Sequence, residues 1–289
     1  MFGVDEDRRP PAPGRFVTAG GIRWHVEEAG SSGPALLLFH GYLGSTAVWY
    51  RSMPLLSRRM RIWAVDLPGA GYSDRPPDAP YDLEWFASQV PALAEALGLH
   101  GCLLGGHSMG GAVALRAAAR NPDLCQGLVL VAPLAYRQKP PPGLRFARRH
   151  PGIAGRFFAS PLGRLVIPQL VRKAAFASRE ARVAVNVRRL LDHLDAPGGW
   201  TAATRMGLAA VESAPPAELL RNIRCPALLL WGDQDAVHSA SLARTIAADL
   251  AGRTRISIIP GTSHNCHEEA PERFASDTLA WVEESFGEG

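Results

Sequence analysis

The residues of this chain best suited to chemistry are a serine, an aspartate and a histidine, in that order along the sequence. Ser108 stands in Gly106-His107-Ser108-Met109-Gly110-Gly111, after the apolar run Cys102-Leu103-Leu104 and before an alanine-rich helical pattern, Ala112–Ala119. A serine between two glycines at a strand-to-helix turn is the pattern of a nucleophile elbow. Such a turn strains the serine backbone, needs small neighbours, and lifts the hydroxyl to the positive N-terminus of the next helix. A serine hydroxyl is nearly inert at neutral pH, so it needs a base to take its proton and an acid to orient that base. Both candidates follow Ser108. Asp235 lies in the loop after the Ala227–Trp231 run, and His264 in the loop after Ile256–Ile259. An oxyanion would need two backbone donors. The N–H of Met109 is one; the other belongs to His40-Gly41-Tyr42-Leu43-Gly44-Ser45, with Tyr42 the chosen donor and Leu43 the alternative.

Each residue also has a plainer reading. Gly-x-Ser-x-Gly alone is common in turns, and Ser108 by itself would be a turn serine; the strand, the helix and the ordered partners favour a nucleophile. His267 is the rival base and reads as structural. Asp233 is the rival acid, but Gly232-x-x-Asp235 spacing favours Asp235. Asp66 and Asp74 read as loop-fixing residues and His107 as a structural neighbour in the elbow. His25, His40, His100, His150, His193 and His238 read as structural or solvent-facing, with His238 near the acid loop.

The elements that must position these residues alternate between strand-like and helical runs, the signature of a mostly parallel α/β sheet. Strands are expected at Ile22–Glu27, Ala35–Phe39, Ile62–Val65, Cys102–Gly106, Leu128–Val131, Ala227–Trp231 and Ile256–Ile259. Several are continuous apolar runs, as central strands covered on both faces should be. Helical patterns span Ser45–Leu56, Asp82–Leu97, Met109–Arg120, Ala240–Leu250 and Pro271–Phe286. Asp82 suits an N-cap and Pro271 a first turn. From Ala135 to Asn222 no strand reads out. Helix-like patterns stand around Glu180–Leu194 and Thr201–Val211, with prolines at 140–142, 151, 161 and 168. The organisation expected is a flexible arm over 1–14, a core over 15–134 and 223–289, and a helical insertion over 135–222.

Composition narrows the classes further. The 289 residues, 47% hydrophobic, can build one large domain. No apolar run reaches the ~18 residues of a membrane span. The N-terminal stretch is charged and proline-rich without the apolar core of a secretory signal. Cys102, Cys125, Cys225 and Cys266 are scattered without metal-ligand spacing, so reduced thiols and a cytoplasmic location are expected, with no metal or cofactor. The net charge of +4 hides an asymmetry. Residues 137–189 hold thirteen Lys/Arg and one carboxylate, Glu180, a balance of +12; the other 18 basic and 26 acidic groups balance at −8. The plain reading of this basic insertion is a solvated helical face, where Arg145, Arg148 and Arg149 fit helix-face spacing. The functional reading is attraction of an anionic partner: an anionic substrate, a carrier protein or an acidic membrane surface. No nucleic-acid motif accompanies the charge.

At this point the chain resembles the α/β-hydrolase superfamily, in its serine-nucleophile, esterase-like branch with a helical cap. His40-Gly41 is similar to its oxyanion loop, Asp66–Pro76 to its loop after the fourth strand, Gly106–Gly111 to its elbow, Gly232-x-x-Asp235 to its acid loop, and His264-x-x-His267-x-Glu269-x-Pro271 to its histidine loop. The likeness covers residues 16–134 and 223–286, and the insertion matches only in place, as the family's variable cap. A serine nucleophile argues against the aspartate-dependent dehalogenases and epoxide hydrolases. The oxyanion loop lacks the His-Gly-x-Gly-Pro-Gly of the carbon–carbon-bond hydrolases. Ser263 stands where the family has glycine, and the glutamate of the histidine loop is either Glu269, one place late, or Glu268.

The resemblance implies a cofactor-independent serine hydrolase cleaving a carboxylic ester with an apolar acyl group through an acyl-enzyme. Ser108, Asp235 and His264 would be its triad, and Tyr42 and Met109 its oxyanion hole. Some apolar residues of the insertion would line the acyl pocket of a small-molecule substrate; the sequence does not single them out, and Trp200 and Met206 are candidates. Thioester hydrolysis on a carrier- or CoA-bound acyl group, a cofactor-free lyase, cyclase or perhydrolase, and a ligand-binding protein on the same fold are the alternatives.

Overall fold

Strands β1 (Arg15–Ala19), β2 (Ile22–Ala29), β3 (Ala35–Phe39), β4 (Arg61–Val65), β5 (Cys102–His107), β6 (Cys125–Val131), β7 (Ala227–Gly232) and β8 (Thr254–Ile259) form one sheet. They lie side by side in the order β1-β2-β4-β3-β5-β6-β7-β8. The computed structural model describes residues 13–136, 149–178, 180, 190–212 and 217–287. β1 and β2 are antiparallel to their neighbours, whereas β4, β3, β5, β6, β7 and β8 run parallel. The C-terminal ends of these six strands therefore share one edge, where an open α/β sheet places its site. β3, β5 and β7 are buried along their whole length, as the apolar runs Ala35–Phe39, Cys102–Leu104 and Ala227–Trp231 lead one to expect.

Helices cover both faces. α1 (Leu83–Ala96), α2 (Met109–Arg120) and α6 (Leu242–Asp249) pack on one side, and α7 (Pro271–Phe286) on the other. Asp82 caps α1 by accepting the Trp85 amide at 2.7 Å, and Pro271 opens α7, where its missing N–H costs nothing. Between β6 and β7 the described residues hold no strand. They form α3 (Pro151–Ala159), α4 (Pro161–Ala175) and α5 (Gly199–Glu212), with a short turn of helix at Ala217–Leu220.

Three elements differ from the sequence expectation. β1 is not among the expected strands: it is short, three of its five residues are exposed, and it is joined to β2 by Gly20-Gly21, both at positive φ. Ser45–Leu56 is not one helix but a 3-10 turn, Thr46–Trp49, and a single turn, Met53–Leu56. Side chains compete for its amides: Ser45 Oγ accepts from Ala47 and Asp66 Oδ1 from Thr46, and Pro54 has no amide to give. In the insertion, α3 and α4 stand where the sequence shows prolines and no helical pattern: Pro151 and Pro161 occupy their first turns, Pro161 behind the cap of Ser160. The expected Thr201–Val211 helix is α5. Most of the Glu180–Leu194 pattern lies outside the described residues; its end, Asp192–Asp195, is a 3-10 turn. Residues 1–12 of the expected arm also lie outside them, while the Pro13 carbonyl accepts a hydrogen bond from His25 Nε2.

Candidate active site

Ser108 sits between β5 and α2 with φ 51° and ψ −114°, a conformation that ordinary side chains avoid. The turn is held there by three backbone bonds. The Ser108 amide donates to Val131 O at 2.9 Å, and its carbonyl accepts from Ala112 and Leu134. The glycines around it leave no room for a side chain. A Cβ on Gly110 would stand 2.3 Å from Phe39 O, and one on Gly106 2.4 Å from the Gly110 backbone. Met109 opens α2, so its amide is among those left without a partner inside the helix.

His264 follows β8, and its Nδ1–H donates to Asp235 Oδ2 at 2.9 Å. That leaves Nε2 as the ring's acceptor. Asp235 Oδ1 accepts from the amides of Val237 and His238, at 2.8 and 2.9 Å. Burial pushes the Asp235 carboxyl up, but the bond and charge of His264 and the two amides hold it below its ordinary value. Asp233 faces elsewhere, taking the Gly261 amide at 2.8 Å. His107, beside Ser108, donates from Nε2 to His264 O at 3.1 Å, and the two rings are 4.6 Å apart. This contact joins the elbow to the histidine loop.

Serine on a strained elbow, a histidine with one nitrogen committed to a buried carboxylate, and a helix N-terminus aimed at the same edge form a recognisable set. A family model for the alpha/beta hydrolase fold matches residues 34–271. The chain belongs to the α/β-hydrolase family. Several relatives match most of its length. It is 29% identical over 97% of its length, and 72% of the relative's, to the dihydrolipoyllysine-residue acetyltransferase component of an acetoin cleaving system in Pseudomonas putida. Among solved structures it resembles a membrane phospholipase A described as a bacterial virulence factor, with TM-score 0.77, 28% identity, 94% of this chain and 86% of that one. It also resembles a thermophilic esterase from Thermogutta terrifontis, with TM-score 0.78, 25% identity, 94% of this chain and 98% of that one.

Three other histidines of this α/β-hydrolase, His107, His238 and His267, form a buried neutral cluster around His264. His238 donates from Nδ1 to Ala132 O at 3.2 Å and meets the His264 ring edge-on at 4.9 Å; burial and His264 push it down to about 4. His267 packs on Trp49 and His107, 4.6 and 4.8 Å away, and burial lowers it to about 3. Among the described residues no acid bonds to it, and its ring contacts are packing. His107 is likewise held well below its usual value by burial and by His264. Asp66 takes amides of Thr46 and Tyr72 and the His25 ring. His40 spans from Gly41 O to the Leu67 amide. Both hold the loops after β3 and β4 in shape.

The two candidate glutamates of the histidine loop part ways. Glu269 accepts from the Ser263 amide at 2.6 Å and from Ala177, just past α4, at 2.9 Å. The Asn265 amide donates to Ala175 O at 3.0 Å nearby. The α4 end of the insertion is thus tied to the loop that carries His264, a link with no signal in the sequence. Glu268 instead points inward, accepts from Asn265 Nδ2 at 2.6 Å, and is pushed by burial up to about 8.

Tyr42 and Leu43 border a small cavity of about 20 Å³, closed by Phe158, Ile167, Trp200, Ala203 and Thr204 of the insertion. Trp200 stacks on Phe158 at 6.3 Å. Met206 is not part of this cavity; it is 2% exposed within the main apolar core. A larger open depression of about 320 Å³ lies at the far ends of α1 and α2, lined among others by Glu95, His100 and Arg120, away from Ser108.

Proposed function

We propose that this enzyme is a serine hydrolase that cleaves a carboxylic ester with an apolar acyl group. The observation that carries the reading is Ser108 on its strained elbow at the same sheet edge as the His264–Asp235 pair. Ser108 Oγ attacks the carbonyl carbon and His264 Nε2 takes its proton, while Asp235 fixes the tautomer and steadies the imidazolium. The amides of Met109 and Tyr42 meet the oxyanion, each worth about 3 kcal/mol in the transition state. His264 then protonates the leaving alcohol and activates the water that releases the acid. The helical insertion roofs the site as a cap, and the wall of Tyr42, Phe158, Ile167 and Trp200 favours an apolar acyl group. The relatives named esterase and phospholipase A act on ester bonds, which supports the same bond class here.

A panel of p-nitrophenyl esters and acyl thioesters of increasing chain length tests this, with Ser108→Ala as control. Turnover of esters with a burst of p-nitrophenol, and labelling of Ser108 by a phosphonate, are expected. Preference for thioesters would move the substrate class. No turnover and no label on Ser108 would remove the hydrolase reading.

A further inference from the structure

Residues 149–178 carry Arg149, Arg156, Arg164, Arg172 and Lys173 and not one Asp or Glu. They contain α3 and α4, whose outward faces are apolar where a water-facing helix is polar. Ile153 and Phe157 of α3 are 56% and 41% exposed, and Leu162, Leu165 and Leu170 of α4 are 59%, 67% and 61% exposed. Ile153 and Phe157 share a face with Arg156 by helical spacing. On α4 the same arc that shows Leu162 and Leu165 also carries Lys173, while Gly163 and Ile167 face inward. Five large apolar side chains standing out in water beside exposed cations on two consecutive helices are unusual for a monomer.

We propose that this face of the α3–α4 pair is a docking surface for an anionic phospholipid bilayer. Charge decides among the occupants. Phosphate headgroups complement the cations, and the leucine and phenylalanine tips would enter the boundary with the acyl chains, as on interfacial amphipathic helices. A second copy of the same face would set cation against cation. A carrier protein would meet side chains that protrude rather than line a groove. Arg164 already faces Asp195 at 3.2 Å, and among the described residues no acid pairs with Arg156 or Lys173, which supply the charge of the face. The proposal concerns binding alone and stands apart from the reading of the catalytic site.

Co-sedimentation with vesicles tests it, using phosphatidylcholine alone and phosphatidylcholine mixed with phosphatidylglycerol. The full chain should pellet with the mixed vesicles and stay in solution with the neutral ones, and the bound fraction should fall with added salt. Arg156→Gln with Lys173→Gln should weaken binding about thirtyfold, at ~1 kcal/mol per cation. Leu162→Gln with Leu165→Gln and Leu170→Gln should abolish it. These side chains are exposed, so the melting temperature and turnover of a water-soluble ester should match the wild type and show that the variants fold. Three results would overturn the proposal. They are no pelleting with either vesicle, equal pelleting with both, or a wild-type dimer that the leucine variant turns into a monomer.

Discussion

His264 Nδ1 lies 2.9 Å from Asp235 Oδ2, and the second oxygen of that carboxylate is held by two backbone amides, of Val237 and His238. The carboxylate is thus fixed from both sides, and the imidazole has one orientation available. Asp235→Asn keeps an oxygen for the amides but offers His264 an N–H, which forces the wrong tautomer. The expected loss is about 10⁴-fold in kcat with little change in melting temperature. Steady-state kinetics beside a thermal melt measures both; a loss under about tenfold would show that Asp235 does not orient the base.

Glu269 ties Ser263, next to the candidate base, to Ala177 at the end of α4. Glu269→Ala leaves two amides without their acceptor, at about 1 to 3 kcal/mol each where they are buried. Glu269→Gln keeps one acceptor and should fall between Ala and wild type in both denaturant midpoint and kcat. If kcat stays at the wild-type level while stability drops, the link serves the fold and not the position of His264.

Glu268 has no charged partner at hydrogen-bond distance in the described structure, and burial raises its carboxyl from 4.5 to about 8. The folded state therefore holds this proton over a range where the unfolded chain has released it. Its presence costs stability that is absent below about pH 4.5, grows as pH rises, and levels off above about pH 8. Glu268→Gln is never charged and still accepts from Asn265. The variant's stability relative to wild type should rise by several kcal/mol between those limits. Denaturant unfolding across the range reads this directly, and parallel curves would disprove it.

Gly207, in α5, lies against the ring of Tyr42. A Cβ there would stand 2.5 Å from Tyr42 Oη, the far end of a side chain that can move. Gly207→Ala should raise helix stability by up to ~1 kcal/mol while displacing Tyr42. We expect a melting temperature equal to or above wild type with kcat/KM reduced severalfold. Unchanged kinetics would mean that the Tyr42 ring, and the cavity it borders, do not report on the candidate oxyanion loop.

Much of this was legible in the sequence because it is local. The elbow needs glycines within a few residues of Ser108, and each central strand needs a run such as Ala-Leu-Leu-Leu-Phe at β3. The Asp82 cap and the Pro271 turn are likewise set by neighbours in the chain. β1 and the split of Ser45–Leu56 were not legible. β1 is a strand because β2 pairs with it, and the helical pattern breaks because Asp66, 20 residues away, takes the Thr46 amide.

By itself the sequence determined the order of the candidate nucleophile, acid and base and the strand end at which each would stand. It also showed a basic insertion. Only the tertiary structure decided which of two aspartates faces the histidine, which of two histidines has an acid, and which of two glutamates grips the insertion. Residue spacing sets where a loop side chain starts but not where it points. Its direction depends on partners such as His107 and His264, 157 positions apart. The same holds for the surface: cations can be counted along the chain, but only packing shows which leucines beside them are left in water.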